Sequence, residues 1–507
     1  MAAEGTRTVS GSPAGGSAVR PPGGLPARAR AALVLVALAA LLVAAAVWLR
    51  FLCGALHAAV GQYDFSTYYA AALALRHHLH ADIYAPAVLA QAGAAAQTQV
   101  QPPLPYTYPP LFAYLLIPFT FVSFHLAARA WLAVNVAIWL GCVALLAAEV
   151  RRYLRPRLAV SASEPAPVRN TPGFAALWAR TLAEPSALVA LALVAALALP
   201  FAPAQQTLLL GQIDFVVLLP LALVPWLTRT GHERWVGVAI ACAAMLKLTP
   251  GILLVYLVLR RRWEALAAAV VALVALTLLS MLLIGPGTFL ALIPQALHVG
   301  TGDASLGQNE ALFAPAFAAL GGGIPGFAAL ARPLTYALLA ALALVIGWTL
   351  WRAPRPSRER SANAPYPLGA DYPAYAMALC AMVLLSPTAW VHHYLWLLPA
   401  AALALMPLGD ALAASPGADR RRATILAVLA VVGCILLAIT LPNQWDTQPT
   451  PSVTLLVGLP LRWLALEARP IGGVLVLLVA AALALRPFPA PTIALDTPAA
   501  SLAPAAE

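Results

Sequence analysis

The stretch AALVLVALAALLVAAAVWLRFL, residues Ala31 to Leu52, decides what kind of protein this is. An apolar run of this length is typical of a membrane-spanning helix, which needs roughly 20 such residues. It exceeds the apolar core of a cleaved signal peptide, and no clear small-residue cleavage site follows it. We therefore predict an uncleaved signal anchor, preceded by a disordered cytoplasmic tail over residues 1–30 that is rich in Ala, Gly, Pro and Arg.

The composition extends this interpretation to the whole chain. Of the 507 residues, 62% are hydrophobic and only 10% are charged, a balance not found in soluble domains of this size. The net charge of +11 comes from arginines beside apolar segments, as in membrane proteins, which makes nucleic-acid binding a poor interpretation. The five cysteines lie in or beside apolar runs without ligand-like spacing, so neither disulfides nor a metal site should be inferred.

Apolar runs between charges predict an all-α polytopic protein with about twelve transmembrane helices. The predicted spans begin near Ala31, Ala127, Ser186, Gly211, Trp235, Pro250, Trp263, Arg332, Pro373, Val391, Arg422 and Ile471. The spans at Trp235 and Pro250 are short, because Lys247-Leu248-Thr249-Pro250-Gly251 interrupts them, and both Pro and Gly disfavour helix continuation. A Pro-rich C-terminal tail over residues 487–507 is predicted to be disordered.

The basic groups predict the orientation, because cytoplasmic loops carry an excess of Lys and Arg. All of them can be cytoplasmic if Leu111 to Phe124 lies along the interface and the two short spans turn at Lys247 on the outer side. Both termini are then cytoplasmic. The groups are Arg20/Arg28/Arg30, Arg151/Arg152/Arg155/Arg157, Arg229/Arg234, Arg260/Arg261/Arg262, Arg352/Arg355/Arg358/Arg360 and Arg420/Arg421/Arg422.

This topology uses the arginines alone, and it places the unusual polar and aromatic stretches together on the extracytoplasmic face. We therefore expect the functional site there. The stretches are Asp64 with its loop, Tyr106 to Pro110, Gln205-Gln206, Gly211-Gln212, Lys247, Gln308-Asn309-Glu310, and Trp390 with His392-His393.

Asp64, in Gln62-Tyr63-Asp64-Phe65, is the candidate catalytic residue. A carboxylate at the bilayer edge among Tyr and Phe can have a raised pKa and accept a proton from a sugar hydroxyl. The alternative is a loop carboxylate that caps the following helix through the backbone amides of Ser66 and Thr67. Position alone does not separate the two.

Lys247, His392 and His393 are the candidate phosphate ligands. An ammonium at membrane depth is costly unless it is paired or hydrated, so Lys247 is functional by default. Its alternative role is a salt bridge to Asp214. The adjacent histidines point in different directions on a helix and do not form a paired metal site, so one could bind phosphate while the other packs. Interfacial histidines without a ligand are an equal alternative.

Other residues are candidates for contacts with a sugar or a lipid tail. The Tyr106 to Leu116 segment starts with paired prolines and aromatic rings that suit the headgroup region, and it can guide a lipid. His77, His78 and His80 have only Asp82 nearby, which favours a solvated loop over a metal site. The sugar or lipid candidates are Tyr68, Tyr106, Tyr108, Gln206, Gln212, Asn309 and Trp390.

Taken in order, five groups of residues resemble glycosyltransferase family 87, whose members are polyprenyl-phosphate-mannose-dependent mannosyltransferases of the GT-C fold. Asp214 departs from the Asn that the family often has, and Leu75 to Ala81 lacks its usual Gly. The resemblance covers roughly residues 30 to 410. It rests on Asp64-Phe65 with Tyr68-Tyr69 and Tyr84, Tyr108-Pro109-Pro110-Leu111-Phe112, Gly211-Gln212, Leu246-Lys247-Leu248-Thr249-Pro250 with Arg260-Arg261-Arg262-Trp263, and Ser386-Pro387 with Trp390 and His392-His393.

The resemblance implies a GT-C-like transmembrane domain over residues 31–486, with interfacial helices in the first extracytoplasmic loop and without a metal or other cofactor. Chemistry adds the donor independently: nucleotide sugars are not available outside the membrane, so an activated sugar must arrive on a lipid carrier in the cell membrane. Polyprenyl phosphate is a good leaving group that needs charge stabilisation more than protonation. A lipid or glycan hydroxyl is the implied acceptor, and Asp64 is its base.

The competing hypothesis is a lipid-linked sugar flippase or secondary transporter. It explains Lys247 and Asp214 as a coupling pair inside the membrane. It explains less well why the polar features gather at one face, because transporter sites usually lie at the midplane. We find no internal sequence repeat of the kind that many transporters carry.

Overall fold

The computed structural model describes residues 27–57, 63–158, 181, 184–301, 309–322, 326–355, 371–414, 417–438 and 459–488. Every regular element within these ranges is a helix. The predicted disordered tails lie outside the described residues except at 27–30, which begin the first helix, and at 487–488.

The α-helices follow one another along the chain with short connections at many of the turns. They are α1 Ala27–His57, α2 Tyr63–His77, α3 Pro86–Ala96, α4 Pro110–Leu115, α5 Phe124–Leu158, α6 Ser186–Ala198, α7 Ala202–Leu210, α8 Asp214–Arg229, α9 Glu233–Leu246, α10 Leu253–Leu259, α11 Trp263–Ile284, α12 Pro286–Leu290, α13 Leu292–Thr301, α14 Phe313–Ala319, α15 Ala328–Arg352, α16 Asp371–Leu384, α17 Leu398–Ala414, α18 Gly417–Ala438 and α19 Leu459–Leu485. The 3-10 helices are Ile117–Phe121, Thr249–Ile252 and Val391–Leu397.

Among the described residues, seven helical segments are long and apolar enough to cross a membrane. An eighth arises if α6 and α7, which are bent by 64° at their junction, form one span. The multi-pass, all-helical class is therefore confirmed. The seven segments are Arg28–Gly54, Phe124–Arg155, Trp263–Ile284, Ala328–Arg352, Val391–Leu408, Gly417–Ala438 and Ala468–Leu485.

The predicted total of about twelve spans is not confirmed by this number. The eight candidate spans lie where eight of the predictions fell. The other predicted spans coincide with α8, α9, the 249–259 segment and α16, which are shorter helices. At about 1.5 Å per residue, the 14 residues of α16 reach only about 21 Å.

The region between α3 and α5 contains no spanning helix. Pro109 and Pro110 start α4, which has 6 residues, and the 3-10 helix Ile117–Phe121 follows it. Both are far shorter than the roughly 20 residues that a span requires. The prediction that Leu111 to Phe124 does not cross the membrane agrees with these lengths, whereas its position at an interface stays a prediction.

Ion pairs join one set of helix ends, which we call the arginine end of the bundle. Arg229 at the end of α8 contacts Glu149 of α5 at 3.1 Å, and Arg262 before α11 contacts Glu233 at the start of α9 at 2.8 Å. Arg260 fastens the end of α10 to α16 through Asp371. These contacts bring predicted cytoplasmic clusters together at one end.

The opposite ends of α8 and α9 carry Asp214 and Lys247, which we call the Asp64 end of the bundle because Asp64 lies there too. The two helices are antiparallel neighbours, and the 16 residues of α8 place Asp214 about 22 Å from Arg229 at about 1.5 Å per residue. The 3-10 helix Val391–Leu397 packs on α7 and α8 at the same end. The arrangement agrees with the prediction that the polar stretches share one side.

Candidate active site

Asp64 lies in the first turn of α2, and aromatic packing fixes that turn. The Phe65 ring is fully buried and stacks on Trp131 and Phe124 at centroid distances of 5.8 and 6.1 Å. Ser66 and Thr67 bind the backbone of the first loop at Val100 and Leu104. The Asp64 carboxylate is thereby held partly buried at the Asp64 end.

The hydrogen bond of Asp64 goes to a side chain 148 residues away rather than to its own helix. The Gln212 Nε2 atom donates to Asp64 Oδ2 at 2.8 Å. Among the described residues, Asp64 makes no hydrogen bond to the amides of Ser66 or Thr67. The structure therefore does not support the alternative in which Asp64 caps its own helix.

Two tyrosines orient the Gln212 amide. The Tyr68 and Tyr108 hydroxyls lie 2.7 and 3.0 Å from Gln212 Oε1 and 2.8 Å from each other. Because hydroxyls can donate to the amide oxygen, the NH2 group is the end that faces Asp64. Tyr68, Tyr108 and Gln212 were all predicted, and the structure brings them together with Asp64.

The turn between α7 and α8 places Gln212. Gly211 has a φ of 75°, in the left-handed region that favours glycine. The backbone N–H of Gln212 donates to Thr207 O at 2.9 Å and closes the end of α7. Trp131 Nε1 donates to Gly211 O at 2.8 Å. Both contacts hold the Gly211–Gln212 peptide group, and they thereby fix the position of the residue that binds Asp64.

The environment of Asp64 suits a base. Burial raises its pKa from 3.8 to about 7, while the Gln212 hydrogen bond and the Lys247 charge oppose that rise. A pKa near the working pH balances proton affinity against the fraction of the carboxylate that is ionised. This group can therefore both take a proton and release it.

Lys247 contacts Asp214, as its alternative interpretation predicted. The Lys247 Nζ atom lies 2.9 Å from Asp214 Oδ1, and the Asp214 side chain is fully buried. The ammonium also lies 5.6 Å from the Tyr108 ring centroid and 5.1 Å from that of Trp396. Because an ammonium has three N–H donors, the ion pair leaves donor capacity for an anion.

Of the two adjacent histidines, His392 faces this pair. Its Nε2 atom lies 3.7 Å from Asp214 Oδ2. His393 instead accepts the Trp390 backbone N–H through Nδ1 at 3.2 Å and stacks on Trp396, with ring centroids 5.1 Å apart. His393 packs and His392 adjoins the charges, as expected of neighbours that point in different directions.

Other predicted contacts lie at the Asp64 end without reaching the carboxylate. Tyr106 is fully buried and donates to Pro109 O at 3.2 Å. The Asn309 amide binds the backbone of Pro387, Ala389 and Ala311, which ties two loops together. Trp390 directly precedes the 3-10 helix that carries the histidines, and Gln206 lies on α7, which packs against that helix.

Trp396 and Asp214 were missed as site residues. Trp396 Nε1 donates to Asp214 O at 3.3 Å, and its ring lies under the Lys247 ammonium. Its sequence signal, an aromatic residue one turn after His392-His393, does not differ from that of a core residue. Asp214 entered the sequence interpretation as a partner of Lys247 and as a departure from the family's usual Asn, but not as a residue of the enzyme site.

No group of three or more His, Cys, Asp or Glu side chains is arranged to hold a metal ion in the part of the chain that the structure describes. His80 Nδ1 lies 3.0 Å from the Ile284 carbonyl oxygen, while His77 and His78 are exposed.

A partly buried carboxylate with a pKa near neutrality, beside a fixed ammonium at one end of a membrane helix bundle, defines a site suited to group transfer onto a hydroxyl. The sequence model of Glycosyltransferase family 87 matches residues 106–387, more than half of the chain, and the protein belongs to this family. It is a multi-pass membrane glycosyltransferase. This result does not favour the flippase or transporter alternative.

Similar proteins agree with this assignment. A "polyprenol-phosphate-mannose-dependent alpha-(1-2)-phosphatidylinositol pentamannoside mannosyltransferase" of Mycobacterium tuberculosis (strain CDC 1551 / Oshkosh) is 32% identical over 68% of this chain and 68% of its own length. Two proteins named "polyprenol-phosphate-mannose-dependent alpha-(1-2)-phosphatidylinositol mannoside mannosyltransferase" are also similar. The one from Mycolicibacterium smegmatis (strain ATCC 700084 / mc(2)155) is 29% identical over 61% of this chain and 63% of its own length. The one from Mycobacterium tuberculosis (strain ATCC 25618 / H37Rv) is 27% identical over 74% and 77%. No solved structure matches the chain.

Proposed function

We propose that this glycosyltransferase moves mannose from a polyprenyl-phosphate carrier to a hydroxyl of a phosphatidylinositol mannoside, at the extracytoplasmic face of the cell membrane. The observation that carries the proposal is that Asp64, with its pKa of about 7, lies close enough to the Lys247 ammonium for that charge to lower its pKa. The names of the similar proteins supply the donor and acceptor class.

The reaction is a single displacement with inversion at the anomeric carbon. Asp64 takes the proton of the acceptor hydroxyl as its oxygen forms the new bond to that carbon. The bond between the anomeric carbon and the carrier oxygen breaks at the same time, and its electron pair leaves with the polyprenyl phosphate. Proton, sugar and charge are then all accounted for without a cofactor.

Lys247 and His392 stabilise the departing phosphate. A fixed cation stabilises charge that develops in the transition state without having to reorganise. Asp214 accepts one N–H of Lys247 and so holds the ammonium in place at 2.9 Å. His393 positions His392 through the edge-to-face contact of their rings, whose centroids are 4.6 Å apart.

The remaining predicted contacts bind the sugar and the lipid. Tyr68, Tyr108 and Gln212 line the sugar beside Asp64, and Gln206 and Trp390 approach from α7 and the 3-10 helix. Tyr106 and the following segment support the lipid tail from an interfacial position. Asn309 acts by shaping the loops, because its amide binds three backbone groups.

The same proposal includes the membrane arrangement. The transmembrane domain covers residues 31–486, and the shorter apolar helices complete a topology of about twelve spans. Reporter fusions after Arg157 and within the 285–331 segment test it. We expect a cytoplasmic signal at the first position and an extracytoplasmic signal at the second. Equal signals at the two positions would refute the assignment of the site to one face.

The activity is tested with the purified full chain, radiolabelled polyprenyl-phosphate-mannose and phosphatidylinositol mannoside acceptors. We expect a more polar labelled lipid to form, and GDP-mannose to give none. Transfer from GDP-mannose alone would overturn the donor assignment. Transfer from the lipid donor to other glycans but not to phosphatidylinositol mannosides would keep the donor and overturn the acceptor.

A further inference from the structure

An open apolar groove lies between two helices, on the side of the molecule that faces lipid, and it runs toward the arginine end. Its volume is about 710 Å³, and apolar side chains of α10 and α15 line it, among them Leu259, Leu344, Trp348 and Trp351. Gly347 lies on its floor, where even a Cβ atom would make only an ordinary van der Waals contact with Leu259 at 3.7 Å, so the absence of a side chain leaves space there. The groove is thus a feature of shape as well as of polarity.

The length of the groove matches one leaflet. Its lining on α15 runs from Ala340 to Trp351, which is about 16 Å at about 1.5 Å per residue. Half of a hydrocarbon core of about 30 Å is about 15 Å. Trp348 and Trp351 are 54% and 46% exposed, and tryptophan is enriched at the headgroup level of a bilayer. An acyl chain therefore fits the groove along its length.

Three exposed arginines, Arg261, Arg352 and Arg355, lie at or just after the ends of the two helices that line this groove. Arg261 is the second residue after α10, and Arg352 ends α15. The Arg352 guanidinium lies 5.3 Å from the Trp348 ring centroid, and Arg355 donates to Trp351 O at 3.2 Å. Burial first, and then the charges of Arg261 and Arg260, lower the pKa of Arg355, so the guanidinium groups of Arg261 and Arg355 lie close enough to repel each other.

The neighbouring carboxylates are already engaged with other arginines. Arg260 binds Asp371 and the carbonyls of Leu350, Ala353 and Pro354, and Arg262 binds Glu233. Glu264 contacts Arg234. Among the described residues, Arg261, Arg352 and Arg355 have no carboxylate in salt-bridge contact. Positive charges next to an apolar groove favour the binding of an anion that carries a hydrocarbon tail.

We propose that the groove and these three arginines bind an anionic glycerophospholipid, with one acyl chain against α10 and α15 and the phosphate among the guanidinium groups. Basic pockets between transmembrane helices recognise anionic headgroups in this way. The site lies at the end of the bundle opposite Asp64, so it is distinct from the proposed donor and acceptor site and does not depend on that function.

The test is native mass spectrometry of the purified, delipidated full chain, titrated with dioleoylphosphatidylglycerol or dioleoylphosphatidylcholine. We expect preferential retention of phosphatidylglycerol. Affinity should fall about fivefold for each arginine removed and roughly a hundredfold in Arg261→Ala/Arg352→Ala/Arg355→Ala. The matched control is Arg152→Ala/Arg420→Ala/Arg421→Ala, which removes three exposed arginines elsewhere and should keep wild-type affinity.

Gly347→Leu separates the groove from the charges. Filling the floor should weaken both lipids, whereas free inorganic phosphate should neither bind tightly nor displace phosphatidylglycerol. Equal affinity for the two lipids in the wild type would overturn the proposal. So would an equal loss in the control triple variant, or displacement by free phosphate that Gly347→Leu leaves unchanged. If the triple variant does not fold, Arg355→Ala alone must still show its fivefold effect.

Discussion

Ion pairs lie at both ends of α8 and α9, but the pairs differ in how many hydrogen-bond donors and acceptors they leave unoccupied. At the arginine end, Arg262 donates to both carboxylate oxygens of Glu233, and Arg229 does the same with Glu149. At the Asp64 end, Lys247 makes one contact with Asp214, and Asp64 makes one with Gln212. Bidentate pairs satisfy their charges fully, whereas single contacts leave donors and acceptors for a substrate.

This contrast indicates that the arginine end holds helices together, whereas the Asp64 end is suited to react with a substrate. The arginine end joins helices with planar guanidinium forks, whose geometry matches carboxylates. The Asp64 end uses an ammonium and carboxylates with remaining hydrogen-bonding capacity, which is costly in a membrane protein. Variants at the two ends should therefore affect different measurements.

The largest effect on transfer is expected for Asp64→Asn. Loss of a general base costs about 100- to 10,000-fold, and we expect about 1,000-fold in kcat/KM. The variant should still fold, and its melting temperature at pH 8 should be no lower than that of the wild type. The folded-state pKa of about 7 exceeds the ordinary value of 3.8, so ionisation of Asp64 lowers the stability of the wild type as pH rises from about 4 to about 7. Asn does not ionise, so the variant does not lose this stability. Full activity in a folded Asp64→Asn protein would remove the base assignment.

Lys247→Met should lower transfer by about 100-fold, mainly through poorer use of the lipid donor. It also leaves Asp214 buried without its cation, which should destabilise the protein by about 3–5 kcal/mol. The double variant Asp214→Asn/Lys247→Met is the control. It should recover most of the stability in denaturant unfolding while transfer stays low, and recovery of both would make Lys247 purely structural.

The pH dependence of transfer should follow Asp64. Because only the ionised carboxylate accepts a proton, the rate should rise about tenfold per pH unit below about 7 and level off above it. Gln212→Leu removes the hydrogen bond that lowers this pKa, so its midpoint should move to higher pH. A wild-type profile that is flat between pH 5 and pH 8, measured with the chemical step rate-limiting, would contradict the assignment.

Tyr68→Phe should have a smaller effect, about fivefold on transfer, because it removes one neutral hydrogen bond worth about 1 kcal/mol from the group that orients Gln212. The matched comparison is Tyr375→Phe, whose hydroxyl donates to Leu221 O at 2.9 Å away from the Asp64 network. If both variants lose transfer equally, the tyrosines act on the fold and not on Asp64.

Arg262→Ala should change transfer least and stability clearly. It removes the fork to Glu233 and the contact with Tyr256, for a loss of about 2 kcal/mol in unfolding free energy. Activity per folded molecule should stay within about twofold, because the arginine end does not touch the reacting groups. A loss of activity similar to that of Lys247→Met would erase the distinction between the two ends.

Much of the fold was predictable because hydropathy and helix breakers act locally. The apolar run at Ala31, the break at Lys247 to Gly251 and the prolines before α4 each appear where expected. The span count was not confirmed because helices such as α16 are buried and short. Buried protein neighbours can cover a helix that is too short to cross a bilayer alone, and hydropathy does not record that.

The site was only half predictable for a related reason. The residue types at Asp64, Lys247 and His392-His393 attract attention individually, because polar groups at membrane depth are rare. Which of these polar groups pair with one another cannot be determined in the same way. Gln212 and Asp64 are 148 residues apart, and Trp396 has the same local signal as any core aromatic.

The sequence by itself determined the membrane class, the helix positions, and the presence of one carboxylate and one ammonium outside the long spans, because each of these depends on a few neighbouring residues. Only the tertiary structure decided that Gln212 holds Asp64, that Lys247 rests on Asp214, and that His392 rather than His393 faces them. It also decided that Arg260 is engaged while Arg261 is exposed. Such choices depend on how helices distant in sequence meet, since hydrogen bonds and ion pairs act over a few ångströms in space.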